Sequence, residues 1–349
     1  MFSSYNPNDV TILLKDITGM VEPLPTAERE KRIQSGTHYS EMLPIEYVPS
    51  QDYLDMFFRA IDMYSEITAK AVASLAKQIY DEHREEIVLV SLARAGTPIG
   101  ILLKHFLEQS YAVEVFHYTI SIIRGKGIDK NAMNHILAHH KPECIQFIDG
   151  WTGKGAIQNQ LNLAMNDYPS VRPGLAVLSD PAGIAEKAGT NDDFLIASSC
   201  LNSTVSGLLS RTFYRSDIIG SKDYHGAVFY SELKDQDLTY TFINAVEAQF
   251  PHVNAVQDTR KLETYGMDEV KKICTDFQIN DINLVKPSIG ETTRVLLRRI
   301  PWKILVYSLH DEHHLGHIYQ LAREKGVEVI EYPLKNYRAC GLIQSLADN

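Results

Sequence analysis

The stretch Cys144-Ile145-Gln146-Phe147-Ile148-Asp149-Gly150-Trp151-Thr152-Gly153-Lys154-Gly155-Ala156 decides how the chain is read. It opens as a short, mostly apolar run of the kind a buried strand needs. The run delivers one acid, Asp149, to the strand's C-terminal end. Three glycines, Thr152 and Lys154 follow, and Ala156-Ile157 begin a helical pattern. A strand, a glycine-rich turn and a helix N-terminus in succession make a phosphate cradle. The glycines let backbone N–H groups turn inward, and the helix end adds partial positive charge. Gly150, Trp151, Thr152, Gly153, Lys154 and Gly155 are expected to hold a phosphate, with Thr152 donating its hydroxyl and Lys154 its charge. Asp149 is expected to accept from a pair of sugar hydroxyls. The run fits neither G-x-x-x-x-G-K-[ST] nor G-x-G-x-x-G, so it is neither a Walker loop nor a dinucleotide fingerprint.

Similar units flank this one. Ile87-Val88-Leu89-Val90-Ser91-Leu92 reads as a buried strand, followed by the tight turn Ala93-Arg94-Ala95-Gly96-Thr97-Pro98 and a helix. A strand over 113–120 leads into Arg124-Gly125-Lys126-Gly127, two cations between glycines. A strand over 175–180 ends in Asp180. A further strand is predicted at 194–197, then the turn Ser198-Ser199-Cys200-Leu201-Asn202 and a helix through Arg211. A long amphipathic helix is predicted over 50–82 and a shorter one over 131–140. Strands alternating with helices imply an α/β fold, a parallel sheet with helices on both faces, whose ligands sit beyond the strands' carboxyl ends. Four loops should meet there: 94–97, 124–126, 149–155 and 198–202.

The boundary of this unit falls near Phe250-Pro251-His252, giving domains 1–252 and 255–349. The second is a small α/β unit: helix 268–277, the turn Lys286-Pro287-Ser288, helix 291–299, strand 304–307, helix 315–324, strand 327–330 and a short tail helix.

Composition bounds the function. At 349 residues, with 44% hydrophobic and 22% charged residues, the chain has ample apolar surface for two cores. No run approaches a membrane span, and the N-terminus lacks the pattern of a signal peptide, so a cytoplasmic protein is expected. The cysteines at 144, 200, 274 and 340 are far apart and form no C-x-x-C pair, which argues against zinc and a disulfide framework. The net charge is −10, yet residues 255–349 hold 13 basic and 13 acidic side chains. The acidity lies in the first unit, so nucleic acid contact is expected only from the second, where Lys286, Arg294, Arg298 and Arg299 could form one basic ridge.

Other motifs admit two readings. Ser35-Gly36-Thr37-His38-Tyr39-Ser40-Glu41 is either a surface loop or a hood over a ligand. Asp180 either caps the segment at Ala182 or faces a second substrate with Ser199, Cys200 and Asn202. Cys200 is either a buried core thiol or a nucleophile, which would need a histidine base from among His38, His117 and His225. His313 and His317 are one helical turn apart, but His314 stands where H-E-x-x-H has glutamate, so a polar helix start is the expectation.

Taken together these motifs resemble a known family. Residues 145–156 and Ala93-Arg94-Ala95-Gly96 resemble the phosphoribosyl pyrophosphate (PRPP) and pyrophosphate loops of type I phosphoribosyltransferases. With Gly36-Thr37-His38-Tyr39-Ser40-Glu41 and Thr204-Val205-Ser206-Gly207-Leu208-Leu209-Ser210-Arg211-Thr212, they resemble the phosphoribosyltransferase–Pelota fusion proteins of bacterial tellurium-resistance and stress gene clusters, also labelled a StiP-type cysteine protease family. The second unit, through Gly290-Glu291-Thr292-Thr293-Arg294-Val295-Leu296, resembles a Pelota or kink-turn-binding domain. The resemblance implies a Mg2+-dependent phosphoribosyltransferase in nucleotide metabolism, the ion bound through PRPP, with a base-like acceptor. Arg94 with Ala95, Gly96 and Thr97 would hold pyrophosphate, Arg124 and Lys126 would close over it, and Asp149 would hold the ribose. Lys286, Gly290, Glu291, Arg294, Arg298 and Arg299 would contact structured RNA. A homo-oligomer is compatible with this reading. The PRPP loop departs from the family pattern, with one acid instead of two and one residue fewer. Gly290 stands where kink-turn binders have asparagine. The alternatives are a non-catalytic PRPP-sensing regulator that binds RNA, and a Cys200 hydrolase.

Overall fold

Alternation builds the larger sheet. Along Ile87–Leu92, Ile87 and Leu89 enter one apolar core, while Val88, Val90 and Leu92 enter another. That is the period of a strand buried on both faces. The computed structural model, which describes residues 2–255, 262 and 265–344, sets this strand inside a six-stranded parallel sheet. In chain order the strands are β1 (Thr11–Ile12), β2 (Ile87–Leu92), β3 (Val115–Ile120), β4 (Ile145–Trp151), β5 (Leu175–Ser179) and β6 (Lys187–Thr190). Their spatial order is β1-β3-β2-β4-β5-β6. Helices α1 (Gln51–Glu82), α2 (Gly96–Tyr111) and α5 (Thr239–Glu247) cover one face through Phe57, Leu75, Ile99, Phe106 and Phe242. Helices α3 (Lys130–Leu137) and α4 (Ala156–Ala164) cover the other through Met133, Ile136 and Leu161.

Two expectations fail here. Residues 194–197 are not a strand of this sheet, and no helix runs through Arg211. The chain from 194 to 211 holds two single 3-10 turns, Ala197–Ser199 and Ser203–Val205. Its polar side chains take backbone and distant partners: Ser206 Oγ donates to Asn202 O and Ser203 Oγ to Glu46, both at 2.8 Å, and Asn202 accepts from Arg94. Gly207 and Leu208 then turn left-handed, with φ of 69° and 56°. The sixth strand is β6, whose Lys-Ala-Gly-Thr sequence carries little strand signal. A Cβ at Gly189 would lie 2.4 Å from the carbonyl oxygen of Ala71, so only glycine lets α1 lie against this strand.

After the turn Phe250–His252 the chain enters the second unit. It contains α6 (Gly266–Asp276), β7 (Val285–Pro287), α7 (Ile289–Arg298), β8 (Pro301–Val306), α8 (Glu312–Glu324), β9 (Glu328–Glu331) and β10 (Ala339–Ile343). The sheet order is β7-β10-β8-β9, with β8 and β9 parallel and β10 antiparallel to both its neighbours. The tail expected as a helix is therefore strand β10, buried along its whole length in the middle of the sheet.

The two units share one core. Ile289, Leu296, Ile304, Leu315 and Ile318 pack in the same cluster as Phe57, Tyr64 and Phe194. Each such side chain contributes roughly 1.5–3 kcal/mol on burial. A buried carboxylate fixes the join. Both oxygens of Asp193 accept from the N–H of Ile289 at 3.0 Å, and one accepts from the N–H of Arg338 at 2.9 Å. Arg338 returns its Nε to the Asp193 carbonyl at 2.9 Å and an Nη to Asp192 at 2.8 Å. Replacing Asp193 by alanine strips two backbone donors of their acceptor, one of them fully buried. A buried donor left unsatisfied costs about 1–3 kcal/mol, so Asp193→Ala should lower the unfolding free energy by about 3 kcal/mol in urea titration. A loss below about 0.5 kcal/mol would mean that apolar contact alone holds the halves together.

Candidate functional site

A cleft of about 410 Å³ opens beyond the C-terminal ends of β2 and β4. Its floor is the turn after β2 (Ala93, Arg94, Ala95) and the turn after β4 (Asp149 and Trp151 to Gly155). Tyr39, Arg124, Arg211 and Thr212 form side walls. Lys286, Pro287, Glu291 and Arg294 of the second unit close the remaining side. Three of the four expected loops thus meet here. The fourth, 198–202, stays behind the wall.

Arg94, after a cis Ala93–Arg94 peptide, lies on the cleft and is held from behind. Its two Nη groups donate to the Leu209 carbonyl at 2.8 Å and to Asn202 Oδ1 at 2.9 Å. Asn202 thus acts through Arg94 and does not line the cleft. Gly96 and Thr97 are buried beneath the turn. A Cβ at Gly96 would meet the Ile148 carbonyl oxygen at 2.4 Å, and Thr97 Oγ1 pairs with Thr119 Oγ1 at 2.7 Å. Of the expected pyrophosphate loop, Arg94 and Ala95 reach the ligand space.

The turn after β4 brings Gly153 to Gly155 and the start of α4 to the cleft. Gly155 takes the left-handed conformation at φ 79°, where its Cβ-free backbone passes Ile184. Two side chains expected on the phosphate are used elsewhere. Thr152 donates its hydroxyl to Asp180, which also accepts the N–H groups of Ile184 and Ala185 at 2.7 and 2.8 Å. Asp180 therefore anchors this turn from beneath and does not line the cleft. Lys154 donates to the carbonyls of Ile282 and Val285 in the second unit. Burial, with the nearby charges of Lys286 and Arg124, pulls its ammonium down to about 8. Asp149 is the acid of the floor. It accepts the Gly150 N–H at 2.8 Å, and burial pushes its carboxyl up to about 6 against the pull of that bond and of Arg294.

The loop after β3 is latched over the cleft. The N–H of Arg124 donates to Tyr39 Oη at 2.9 Å, and its Nη1 to Asn283 Oδ1 at 3.0 Å. His38 Nε2 meets the Arg124 carbonyl at 3.0 Å, and the Gly125 N–H donates to Gln160 at 2.7 Å. The His38-Tyr39 stretch is thus a hood. Lys126 pairs with Glu41 at 3.3 Å, away from the cleft.

The basic ridge of the second unit does not face outward as one surface. Lys286 and Arg294 line the cleft, Glu291 accepts from Arg294 at 3.4 Å, and the Arg294 guanidinium lies 4.3 Å from the Trp151 ring centre. A Cβ at Gly290 would sit 3.3 Å from the same ring. Ser288 caps α7, its hydroxyl accepting the Glu291 N–H. Arg299 is exposed beyond the helix end, and the Arg298 side chain lies outside the described residues. One residue was missed. Arg211, quoted above only within a motif, stands on the cleft wall with its guanidinium 4.5 Å from the Tyr39 ring centre. Burial, with the charges of Arg29, Arg94 and Arg299, draws it down to about 10, still protonated at neutral pH. Among the described residues the cleft is lined by six cations, Arg94, Arg124, Lys154, Arg211, Lys286 and Arg294, against two acids, Asp149 and Glu291.

Cys200 is 2% exposed, in the core shared by the two units, and off the cleft. It follows a single 3-10 turn, so no helix N-terminus lies behind it to acidify the thiol. His38, His117 and His225 are bonded elsewhere: His117 to Ser91 and the Asp9 carbonyl, His225 to Ser121. Burial lowers His117 to about 4. The half-buried Cys144 has an acid beside it instead of a base. Its thiol lies 3.6 Å from Glu86, whose other oxygen meets His140 at 2.6 Å, and burial and Glu86 raise the thiol. Ser199 is fully buried. His317 bonds to Thr293 at 3.1 Å.

The parallel sheet with helices on both faces is the α/β class expected from the sequence. Among solved structures the chain is similar to Helicobacter pylori xanthine-guanine-hypoxanthine phosphoribosyltransferase: 23% identity, 34% of this chain and 78% of that one, TM-score 0.26. It is also similar to hypoxanthine phosphoribosyltransferase from Trypanosoma cruzi, in complex with the product IMP: 14% identity, 50% and 93%, TM-score 0.27. Among curated proteins it is 38% identical to the cysteine protease StiP of Acinetobacter baylyi, over 98% of this chain and 94% of that one. Residues 264–345 match the PELOTA RNA binding domain. Residues 3–247 match the tellurite-like stress resistance cysteine protease StiP, and with the curated relative this match shows that the chain belongs to the StiP family.

Proposed function

We propose that the cleft binds PRPP and transfers its phosphoribosyl group to a small acceptor, in a stress-resistance context. The observation that carries this reading is the six-to-two excess of cations over acids around a cleft at the carboxyl ends of parallel strands. Such a wall suits a ligand with several phosphates. In this reading the α4 N-terminus with Gly153–Gly155 takes the 5′-phosphate through backbone donors. Arg94 and Arg124 take the pyrophosphate, and Asp149 accepts from the ribose hydroxyls. The bond from ribose C1 to the pyrophosphate oxygen breaks with its electrons on the pyrophosphate, and the acceptor's nucleophilic atom bonds to C1. Arg94 and Arg124 stabilise the charge that develops on the leaving group. The latched loop and the second unit keep water from C1.

Mg2+ would neutralise part of the pyrophosphate charge. Among the described residues no cluster of three or more histidines, cysteines or carboxylates is gathered for a metal. An ion carried chiefly on phosphate oxygens would have Asp149 and Glu291, the carboxylates on the cleft, to hold its waters. RNA binding by the second unit belongs to the proposal through its domain match. A second reading is a non-catalytic PRPP-sensing regulator that binds RNA, and the diversion of Lys154 from the phosphate is the observation on its side. Pyrophosphate release separates the two.

The position of Asp149 generates a pH test. Its folded-state value, about 6, lies above the ordinary carboxylate value, so the free fold holds an extra proton between about pH 4 and 6 and loses stability as pH rises through that window. The ribose hydroxyls need the ionised form. The melting shift given by Mg2+ and PRPP should therefore grow from pH 5 to 7, and Asp149→Asn should remove that part of the growth. Equal pH profiles for the two proteins would refute the role given to Asp149.

Cys200→Ser separates this reading from a hydrolase. The change keeps the size of a buried side chain, so pyrophosphate release should stay within about threefold, a change under ~1 kcal/mol. Arg94→Ala should lower it by a factor of about 100, as loss of a leaving-group donor does. A peptidase activity abolished by Cys200→Ser and spared by Asp149→Ala would overturn the transferase reading.

A further inference from the structure

The phosphates account for only part of the positive wall. Arg94, Arg124 and the α4 N-terminus serve them in the reading above, and Lys154 is bound to carbonyls. Arg211, Lys286 and Arg294 remain, on the sides of the cleft formed by the hood and the second unit. Arg211 has no hydrogen-bond acceptor and no ion pair among the described residues. Its guanidinium lies against the Tyr39 ring, 4.5 Å from the ring centre. Arg294 has a single long contact with Glu291 at 3.4 Å and the Trp151 ring beneath it at 4.3 Å. A guanidinium has five N–H donors in one plane. In both residues an aromatic ring takes a face and leaves most of the donor edge without a protein acceptor. Withdrawing such a charge from water with no counter-ion, as at Arg211, or with one distant carboxylate, as at Arg294, is costly, and an arginine edge is shaped for a carboxylate or phosphate.

We propose that Arg211 and Arg294 form an anion subsite on the acceptor side of the cleft, so that the acceptor bears a negatively charged group and is held by both units. The assignment of this subsite to an acceptor rests on the phosphoribosyl reading. The subsite itself does not. Lys286, half-buried on the same wall, adds long-range attraction. The second unit then serves as part of the small-molecule site and not only as an appended module.

The test uses the full chain and pairs of probes that differ by one charge: orotate against uracil, and nicotinate against nicotinamide. Binding is read by calorimetry with and without Mg2+ and PRPP. The anionic member of a pair should bind about tenfold or more tightly, the worth of one charge-assisted hydrogen bond. Arg211→Gln and Arg294→Gln should each cut that preference about tenfold. Arg211→Lys, which keeps the charge but not the fork, should restore part of it. Melting curves confirm that each variant is folded, and the Arg211 variants leave the second unit untouched.

If the preference is present and falls in the variants while PRPP fails to bind, the subsite stands and the transferase reading falls. No preference for the anion, or a preference that neither variant moves, overturns the proposal whatever PRPP does. It is also overturned if both variants weaken PRPP as much as orotate, which would assign these arginines to the phosphates. Loss of RNA retention in the variants with unchanged probe discrimination would assign them to RNA instead.

Discussion

The carboxylate of Asp193 sets where the second unit sits, and the cleft depends on that placement. By accepting the Ile289 N–H it pins the first residue of α7 to the larger unit. The helical period does the rest. Ile289, Thr293 and Leu296 turn inward, which brings Gly290 and Arg294, four residues apart, onto Trp151. Gly290 is what lets the helix come so close, since a Cβ there would already be 3.3 Å from the indole. The asparagine expected at the matching place of a kink-turn binder would press its Cβ on the indole under this packing. The departure from the family pattern thus has a physical reason: that position is used for docking against the indole.

Docking concentrates like charge. Two unit charges about 5 Å apart repel by roughly 3 kcal/mol at an effective dielectric near 20, so six cations around one cleft are a standing cost. The shared apolar core and the Asp193 bonds offset it before any ligand arrives. An anion bound there, as proposed, would recover the cost, because donors held in place need no reorganisation. The raised Asp149 carboxyl and the lowered Lys154 ammonium have the same origin, burial of charge under the second unit.

Much of this was legible in the sequence. The apolar runs of β2 and β4, the glycine turn after Asp149 and the long stripe of α1 each follow from one local period, and the parallel sheet follows from their alternation. What was not legible has two causes. Some elements have weak local signals: β6 is short and polar, and β10 holds a strand position only because β7 and β8 flank it. The roles of Thr152, Lys154, Asp180 and Asn202 have the second cause. Sequence shows which groups can donate or accept, but the partner comes from folding. Lys154 sits in a phosphate-type turn, yet Ile282, 128 residues later, supplies the carbonyl it takes. Arg211 was hidden for the same reason, since no local pattern shows that the hood would carry it to the cleft.

Access to the cleft is then a question of which part can move. The second unit is held by buried bonds and a continuous core, so its separation would cost much of the stability of the fold. The loop carrying Arg124 is held by exposed bonds, to Tyr39, Asn283, Gln160 and His38. Such bonds contribute about 1 kcal/mol each net, so opening costs a few kcal/mol and is compatible with turnover. Gly125 and Gly127, at φ of 79° and 97°, let the loop turn sharply at its tip. His38 favours the closed form as a neutral ring, with Nε2–H donating to Arg124 O and Nδ1 accepting from the Ser40 N–H. Burial lowers its proton affinity and so supports that form at neutral pH. In the proposed reading a ligand would therefore enter past the Arg124 loop, while Arg294 of the second unit stays in place.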